Sequence, residues 1–223
     1  MKKRKLFVLG LLALITVVAT IIGYNAKSIQ QLNNEEEIKR VVKSALNIYS
    51  KSVYPSEYTK SPDIKIPSQL IDRKINEVTQ ECEKYYSAKS GILANKIKVF
   101  QTAVLGDAYS PSDIRTVEWK INNIKFLETR IEGDTATVIA DVYCENKMVA
   151  LIPIDNKINE SVKPEEMTIE YQKRLYEETQ KLPKKLVTYN PKGVMRYYFN
   201  LAKENGIWKI TSENFNYLPG YEP

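Results

Sequence analysis

Thr135-Ala136-Thr137-Val138-Ile139-Ala140-Asp141-Val142-Tyr143-Cys144 is the stretch on which the fold turns. Ala136, Val138, Ala140, Val142 and Cys144 occupy every second position. Thr137, Ile139, Asp141 and Tyr143 occupy the positions between. A period of two is that of a strand with one face toward a core. Glu132-Gly133-Asp134 stands just before it and reads as a turn. Ahead of the turn, Val117, Trp119 and Ile121 alternate with Glu118 and Lys120. After Asn122-Asn123 the apolar parity passes to Ile124 and Phe126, which predicts a bulge. The two runs together predict a long, bent antiparallel hairpin. A further strand is expected over Met148 to Ile154.

Toward the C-terminus, Val194 to Ala202 and Ile207 to Tyr217 flank Asn205-Gly206. An Asn-Gly pair between strand-like runs is a strong hairpin signal. Toward the N-terminus the period changes to that of a helix. Asn34 with Glu37 has capping-box spacing, and Ile38, Val41, Val42, Ala45, Ile48, Tyr49 and Val53 follow on one face up to Pro55. The segment from Pro55 to Pro67 reads as a loop. A second helix is expected from Ser68 to Tyr86 and a helical or mixed segment from Ile92 to Leu105. Pro164-Glu165-Glu166 opens a helix with a thin apolar stripe, an insertion near 164–182 that suits a partner or a sheet edge. The fold class expected for the chain is α+β.

The N-terminus has a different character. Met1-Lys2-Lys3-Arg4-Lys5 carries four positive charges, and Leu6 to Gly23 follows as 18 residues without a charge. A helix of that length rises about 27 Å, close to the ~30 Å hydrocarbon core of a bilayer. The positive flank predicts a cytoplasmic N-terminus and an extracytoplasmic remainder. The expected organisation is a flank and transmembrane signal anchor over 1–27 and one extracytoplasmic domain over 28–223, with a cleaved signal peptide as the rival reading. Lys2, Lys3, Arg4, Lys5 and Lys27 all precede residue 28 and no acid does, which leaves 28 of the 33 basic residues against all 27 acidic ones. The domain is close to neutral, so nothing in its charge points to nucleic acid.

The chain has no histidine, which excludes His-dependent triads and His ligands to a metal. Two cysteines do not make a zinc site by themselves. No metal or cofactor is expected. For Cys82 and Cys144 two readings stand: a disulfide, which an oxidising compartment permits, and a pair of buried free thiols.

The order of helices first, a long hairpin carrying Thr135 to Tyr143, and a last hairpin carrying Asn205-Gly206-Ile207-Trp208-Lys209-Ile210 resembles the NTF2-like (cystatin-like) superfamily, over roughly residues 34–217. The resemblance implies a cone in which a curved antiparallel sheet wraps the helices around a cavity, here of a membrane-anchored bacterial envelope type. That superfamily holds dehydratases, isomerases and cyclases beside many non-catalytic domains, among them exported domains of conjugation-type secretion components. One branch works with Tyr and Asp around a steroid-like ligand. Tyr49, Tyr54, Asp107, Asp113 and Asp141 are the matching residue types, and their spacing singles out no pair.

The leading expectation is a non-catalytic binding or scaffold domain that contacts an envelope partner or oligomerises. The alternatives are a small-molecule binder or Tyr/Asp enzyme using the cone cavity, and a component of a conjugation or secretion complex. Tyr49, Trp119, Asp141 and Tyr143 are the cavity candidates. The 15 tyrosines read either as an aromatic-lined pocket or as ordinary core and rim packing. For Asp141, a concave position predicts a buried carboxylate with a raised pKa, and a convex one predicts a solvated acid.

Overall fold

The structure is a computed structural model that describes residues 31–109, 113–154, 177–178 and 181–221. Its elements are α1 (31–46), α2 (Ile48–Ser52), α3 (Ser68–Tyr85), α4 (Ile92–Tyr109), β1 (Ile114–Glu132), β2 (Thr135–Pro153), β3 (Lys184–Tyr189), β4 (Lys192–Glu204) and β5 (Ile207–Tyr217). All strand pairings are antiparallel. The order is β1-β2-β4-β5, with β3 added along the far end of β2.

The hairpin of β1 and β2 is the one the alternation predicts. Gly133 sits in its turn at φ 61°, a conformation open to glycine and strained for most other residues. Register shifts fall at Thr116/Glu118, Ile121/Asn123 and Phe126/Glu128. The middle one is the bulge expected at Asn122-Asn123. Because each shift restores inward parity, Trp119, Ile121, Ile124, Phe126 and Ile131 all pack on the core side. Each shift also bends the strand, so a ribbon this long curves around the helices. Asn205 and Gly206 have φ of 52° and 81°, the two successive positive values that a type I′ turn requires.

Ile38, Val42, Ala45 and Ile48 from the first helices, Val78 and Cys82 from α3, and Phe100 and Val104 from α4 meet Val138, Val142, Phe199, Leu201, Trp208 and Ile210 from the sheet. These side chains are nearly all fully buried. Burial of apolar surface on this scale supplies the main favourable contribution to folding.

One charged residue is built into this core. Arg115 is 1% exposed. Its Nε donates to the carbonyl of Asp107 at 3.1 Å, Nη1 to those of Tyr58, Ser61 and Ile64 at 2.7, 3.1 and 2.7 Å, and Nη2 to that of Pro62 at 2.8 Å. The proline-rich segment expected as a loop is thereby tied to the start of β1 by one guanidinium. Tyr54 closes the other side, its hydroxyl donating to the Val104 carbonyl at 3.0 Å.

Several expectations are corrected. The expected architecture joined a transmembrane helix to the cone. Only its α+β part stands, since no helix among the described residues is long and apolar enough to cross a membrane. Leu6 to Gly23 lies outside those residues, as does the 164–182 helix apart from 177–178 and 181–182. Of the two readings left open for Cys82 and Cys144, the structure has the buried free thiols. They belong to α3 and β2, and burial pushes the Cys82 thiol up to about 12 and raises that of Cys144. Asn34 does not begin a helix. The helix is already formed at 31, and the Asn34 side-chain carbonyl accepts from Lys203 Nζ at 2.9 Å. The strand expected at Met148–Ile154 is the continuation of β2. β3 was not expected at all.

Candidate functional site

Between the helices and the inner face of the sheet lies an open cavity of about 580 Å³. Its helical wall is made by Ala45, Leu46, Tyr49, Val99 and Phe100, and its sheet wall by Trp119, Cys144, Met195, Tyr197, Phe215 and Tyr217. Tyr86, Lys96 and Glu213 line one side, and Pro191, Lys192, Gly220 and Tyr221 the rim. The sheet-wall residues share one face by register. Trp119 pairs with Asn146, Cys144 with Gly193, Met195 with Tyr217 and Tyr197 with Phe215. Gly193 keeps this part of the wall thin, for a Cβ there would meet Cys144 Sγ at 3.3 Å.

The aromatic rings form two groups. Tyr49 stands 4.8 Å from Trp119 and 6.4 Å from Phe100 between ring centroids. Tyr197 stacks on Phe199 at 5.5 Å and on Phe215 at 5.2 Å, and Tyr217 meets Phe215 edge-on at 5.7 Å. Such offset and edge contacts hold ring planes in place. Val99, Phe215, Tyr217 and Tyr221 are exposed at 49, 45, 40 and 44%, which leaves an apolar lip open to solvent.

A polar cluster is set into this apolar surface. Glu213 Oε1 accepts from Lys96 Nζ at 2.5 Å and Oε2 from the Tyr86 hydroxyl at 2.8 Å. The Glu213 side chain is 7% exposed and that of Lys96 19%. Lys96 Nζ also lies 5.6 Å from the centre of the Tyr86 ring. Tyr86 is positioned by the backbone. It forms a parallel bridge to Ile210, and the next residue, Ser87, donates its N–H to the Ile210 carbonyl at 2.8 Å. Burial, then the Glu213 charge, hold the Tyr86 hydroxyl well above its ordinary pKa, so it serves as a donor. The Trp119 indole N–H and the Asn146 side-chain carbonyl are buried without a hydrogen-bond partner among the described residues.

Of the four cavity candidates, Tyr49 and Trp119 line the cavity and Asp141 and Tyr143 do not. The latter two share the opposite parity of β2, which puts them on the face away from the helices. Tyr143 is 36% exposed there, between Asn123 and Val194. Asp141 lies between Lys125 and Arg196 on the neighbouring strands. Arg196 Nε and Nη2 reach its two oxygens at 2.7 and 3.0 Å. The carboxylate is therefore buried by a partner and not by a pocket, and that hydrogen-bonded guanidinium lowers its pKa below the ordinary value. Neither expectation for Asp141 anticipated this.

A depressed pKa means that the pair's contribution to stability is present above the ordinary carboxylate range and is lost as pH falls through the folded-state value. The melting temperature of the wild type is therefore expected to exceed that of Asp141→Asn at pH 6–7, with the gap closing as the pH approaches 3. A gap unchanged down to pH 3 would show the pair to be irrelevant. Thermal melts of both proteins across that range measure it.

Asp107, Asp113 and Tyr54 do not face the cavity either. Asp107 Oδ1 accepts from the backbone N–H and the hydroxyl of Thr116 at 3.1 and 3.3 Å, and burial raises its pKa. Asp113 pairs with Lys184 Nζ at 2.6 Å. The Asp107 charge acts on the hydroxyls of both Tyr49 and Tyr54, and burial first and that charge second raise the pKa of each. Among the described residues no Tyr/Asp pair converges on the cavity. Tyr86, Lys96 and Glu213 form the hydrogen-bonded cluster that does, beside Asn146 and Lys192 of the lining, and none of these was a sequence candidate. One signal for Glu213 was available. The run Trp208, Ile210, Phe215, Tyr217 changes parity after Ile210, and the phase of Phe215 and Tyr217 turns Glu213 inward.

No family model matches the chain, and no curated protein matches it. Among the solved structures similar to it are these two. One is the intermembrane space region of the chloroplast protein ARC6, with 11% identity over 82% of this chain and 97% of that one and a TM-score of 0.43. The other is a putative dehydratase from the NTF2-like family from Streptomyces avermitilis, with 10% identity over 67% of this chain and 88% of that one and a TM-score of 0.28. The likeness ends at the fold. Among the described residues there is no group of His, Cys, Asp and Glu arranged to hold a metal ion.

Proposed function

We propose that this chain is an NTF2-like binding domain that takes an apolar or amphipathic small molecule in the cavity between its helices and sheet. The observation that carries the reading is the cavity itself: open, about 580 Å³ in volume and walled by two groups of packed aromatic rings. That volume lies within the range of small-molecule sites, which are concave, mostly apolar and furnished with few polar groups. Both Glu213 oxygens are engaged, one by Lys96 and one by Tyr86. That arrangement suits orientation of a ligand more than transfer of a proton. The reading is accordingly of a binder and not an enzyme.

N-phenyl-1-naphthylamine, a neutral fluorophore that brightens in apolar surroundings, tests this. It is expected to bind the wild type saturably with one site per chain. Leu46 borders the open volume, and Leu46→Trp fills part of it with a larger ring. That variant is expected to weaken binding at least tenfold while its circular dichroism and melting remain those of a folded protein. Saturable binding that Leu46→Trp leaves unchanged, or no binding by the wild type, would overturn the proposal.

A further inference from the structure

We propose that the cavity selects ligands carrying an organic ammonium group on their apolar body, with Glu213 as the fixed counter-charge and Lys96 as a resident cation that the ligand displaces. The inference rests on the binding reading above and names the class of molecule the same site takes.

Three observations carry it. First, the acid and base of the pair are held very differently. Glu213 is on β5, on the inner face of the sheet, and a second bond from Tyr86 fixes its carboxylate. Tyr86 is in turn held to β5 through the bridge to Ile210. Lys96 extends a long, flexible side chain from α4. Its only polar partner among the described residues is Glu213. The carboxylate is the immobile member and the ammonium the removable one.

Second, the place that Lys96 Nζ occupies is already a cation site. It has a carboxylate oxygen at 2.5 Å and an aromatic ring at 5.6 Å. Ring faces attract cations most strongly where water is excluded. A ligand ammonium in that place keeps the carboxylate neutralised while its apolar body lies along Tyr197, Phe215 and Tyr217. Lys96 returns to water, where an ammonium is well solvated.

Third, the charges at the Glu213 end of the cavity disfavour an anion there, since Lys192, the other base of the lining, stands at the rim. An incoming carboxylate finds Lys96 already neutralised and adds a second negative charge beside Glu213, and like charges in a weakly polarisable site repel strongly. A neutral ligand can enter without disturbing the pair. It gains nothing from Glu213.

Competition against N-phenyl-1-naphthylamine with three matched naphthalenes tests the inference: (2-naphthylmethyl)trimethylammonium, its neutral isostere 2-neopentylnaphthalene, and 2-naphthylacetate. The wild type is expected to bind the cation more tightly than the neutral isostere, and the anion at least tenfold more weakly than the cation. Lys96→Met removes the resident cation and leaves Glu213 uncompensated. The preference for cation over isostere is then expected to rise at least tenfold. Glu213→Gln, which keeps the shape and removes the charge, is expected to abolish the preference while the neutral isostere still binds.

If the neutral isostere binds but Lys96→Met does not increase the preference for the cation, or Glu213→Gln keeps it, the inference fails and the cavity reading survives. Tighter binding of the anion than of the cation also overturns it. If none of the three naphthalenes displaces the fluorophore, the inference fails, and the cavity reading is decided by the fluorophore's own binding and its response to Leu46→Trp. Should Lys96→Met prove poorly folded, the Glu213→Gln and wild-type comparisons decide alone.

Discussion

Replacing Arg115 with methionine is expected to lower the unfolding free energy by about 3–5 kcal/mol, because several buried carbonyls lose their donor at once. The stem of Met is of similar length, so little apolar contact is lost. What disappears is a cation that donates five hydrogen bonds to five carbonyls, four of them within residues 58–64. Each buried carbonyl left unpaired costs about 1–3 kcal/mol, and those that can turn to water will do so by letting the loop open. The expected loss is therefore smaller than the sum. Arg115→Lys is expected to recover only part of it. Lysine offers three donors from one point, whereas the planar guanidinium reaches carbonyls on several sides at once. Urea denaturation of the three proteins measures the effect. Hydrogen exchange of the loop amides distinguishes local opening from global destabilisation.

Trp208→Ala is the second substitution with a large expected effect, about 3–5 kcal/mol. Trp208 has no exposed surface and belongs to the central apolar cluster. It also lies under the Lys203 ammonium, 5.0 Å from the ring, and Lys203 in turn donates to Asn34 on the first helix. Truncation removes the largest buried side chain of the last hairpin and the platform that Lys203 covers. Trp208→Phe should cost far less. The indole N–H has no partner among the described residues, so losing it sacrifices no hydrogen bond. Equal losses for Ala and Phe would mean that the N–H matters and that the packing account is incomplete.

The parts of this fold that the sequence discloses are those with a local cause. The alternation from Ala136 to Cys144, the parity change at Asn122-Asn123 and the Asn205-Gly206 turn each follow from backbone geometry within a few residues. β3 escapes such reading. Its residues show no alternation, and most are exposed, because it is a strand by virtue of pairing with the end of β2. The helix α4 is legible only in part. One side of it packs on the core through Phe100 and Val104, while Val99 is left at the cavity lip, so its apolar stripe is broken.

The site is less legible than the fold, for a related reason. Glu213 meets Lys96 across 117 positions of sequence and Tyr86 across 127. No spacing rule links residues so far apart. Asp141 shows the converse. It has the residue type of a catalytic acid and a place in a core strand, yet the register turns it outward onto Arg196. Tyr49 and Trp119 were accessible because each belongs to a single apolar face, of a helix and of a strand, that the cavity interrupts.

The central claim is that the space between helices and sheet receives a small apolar molecule. The most direct measurement is the pattern of nuclear Overhauser contacts from bound N-phenyl-1-naphthylamine to assigned side chains. Contacts to the Trp119 ring, the Met195 methyl and the Tyr197 and Phe215 rings are predicted. Contacts to Tyr143 and Tyr198 on the other face of the sheet, with none to those four, would contradict the account.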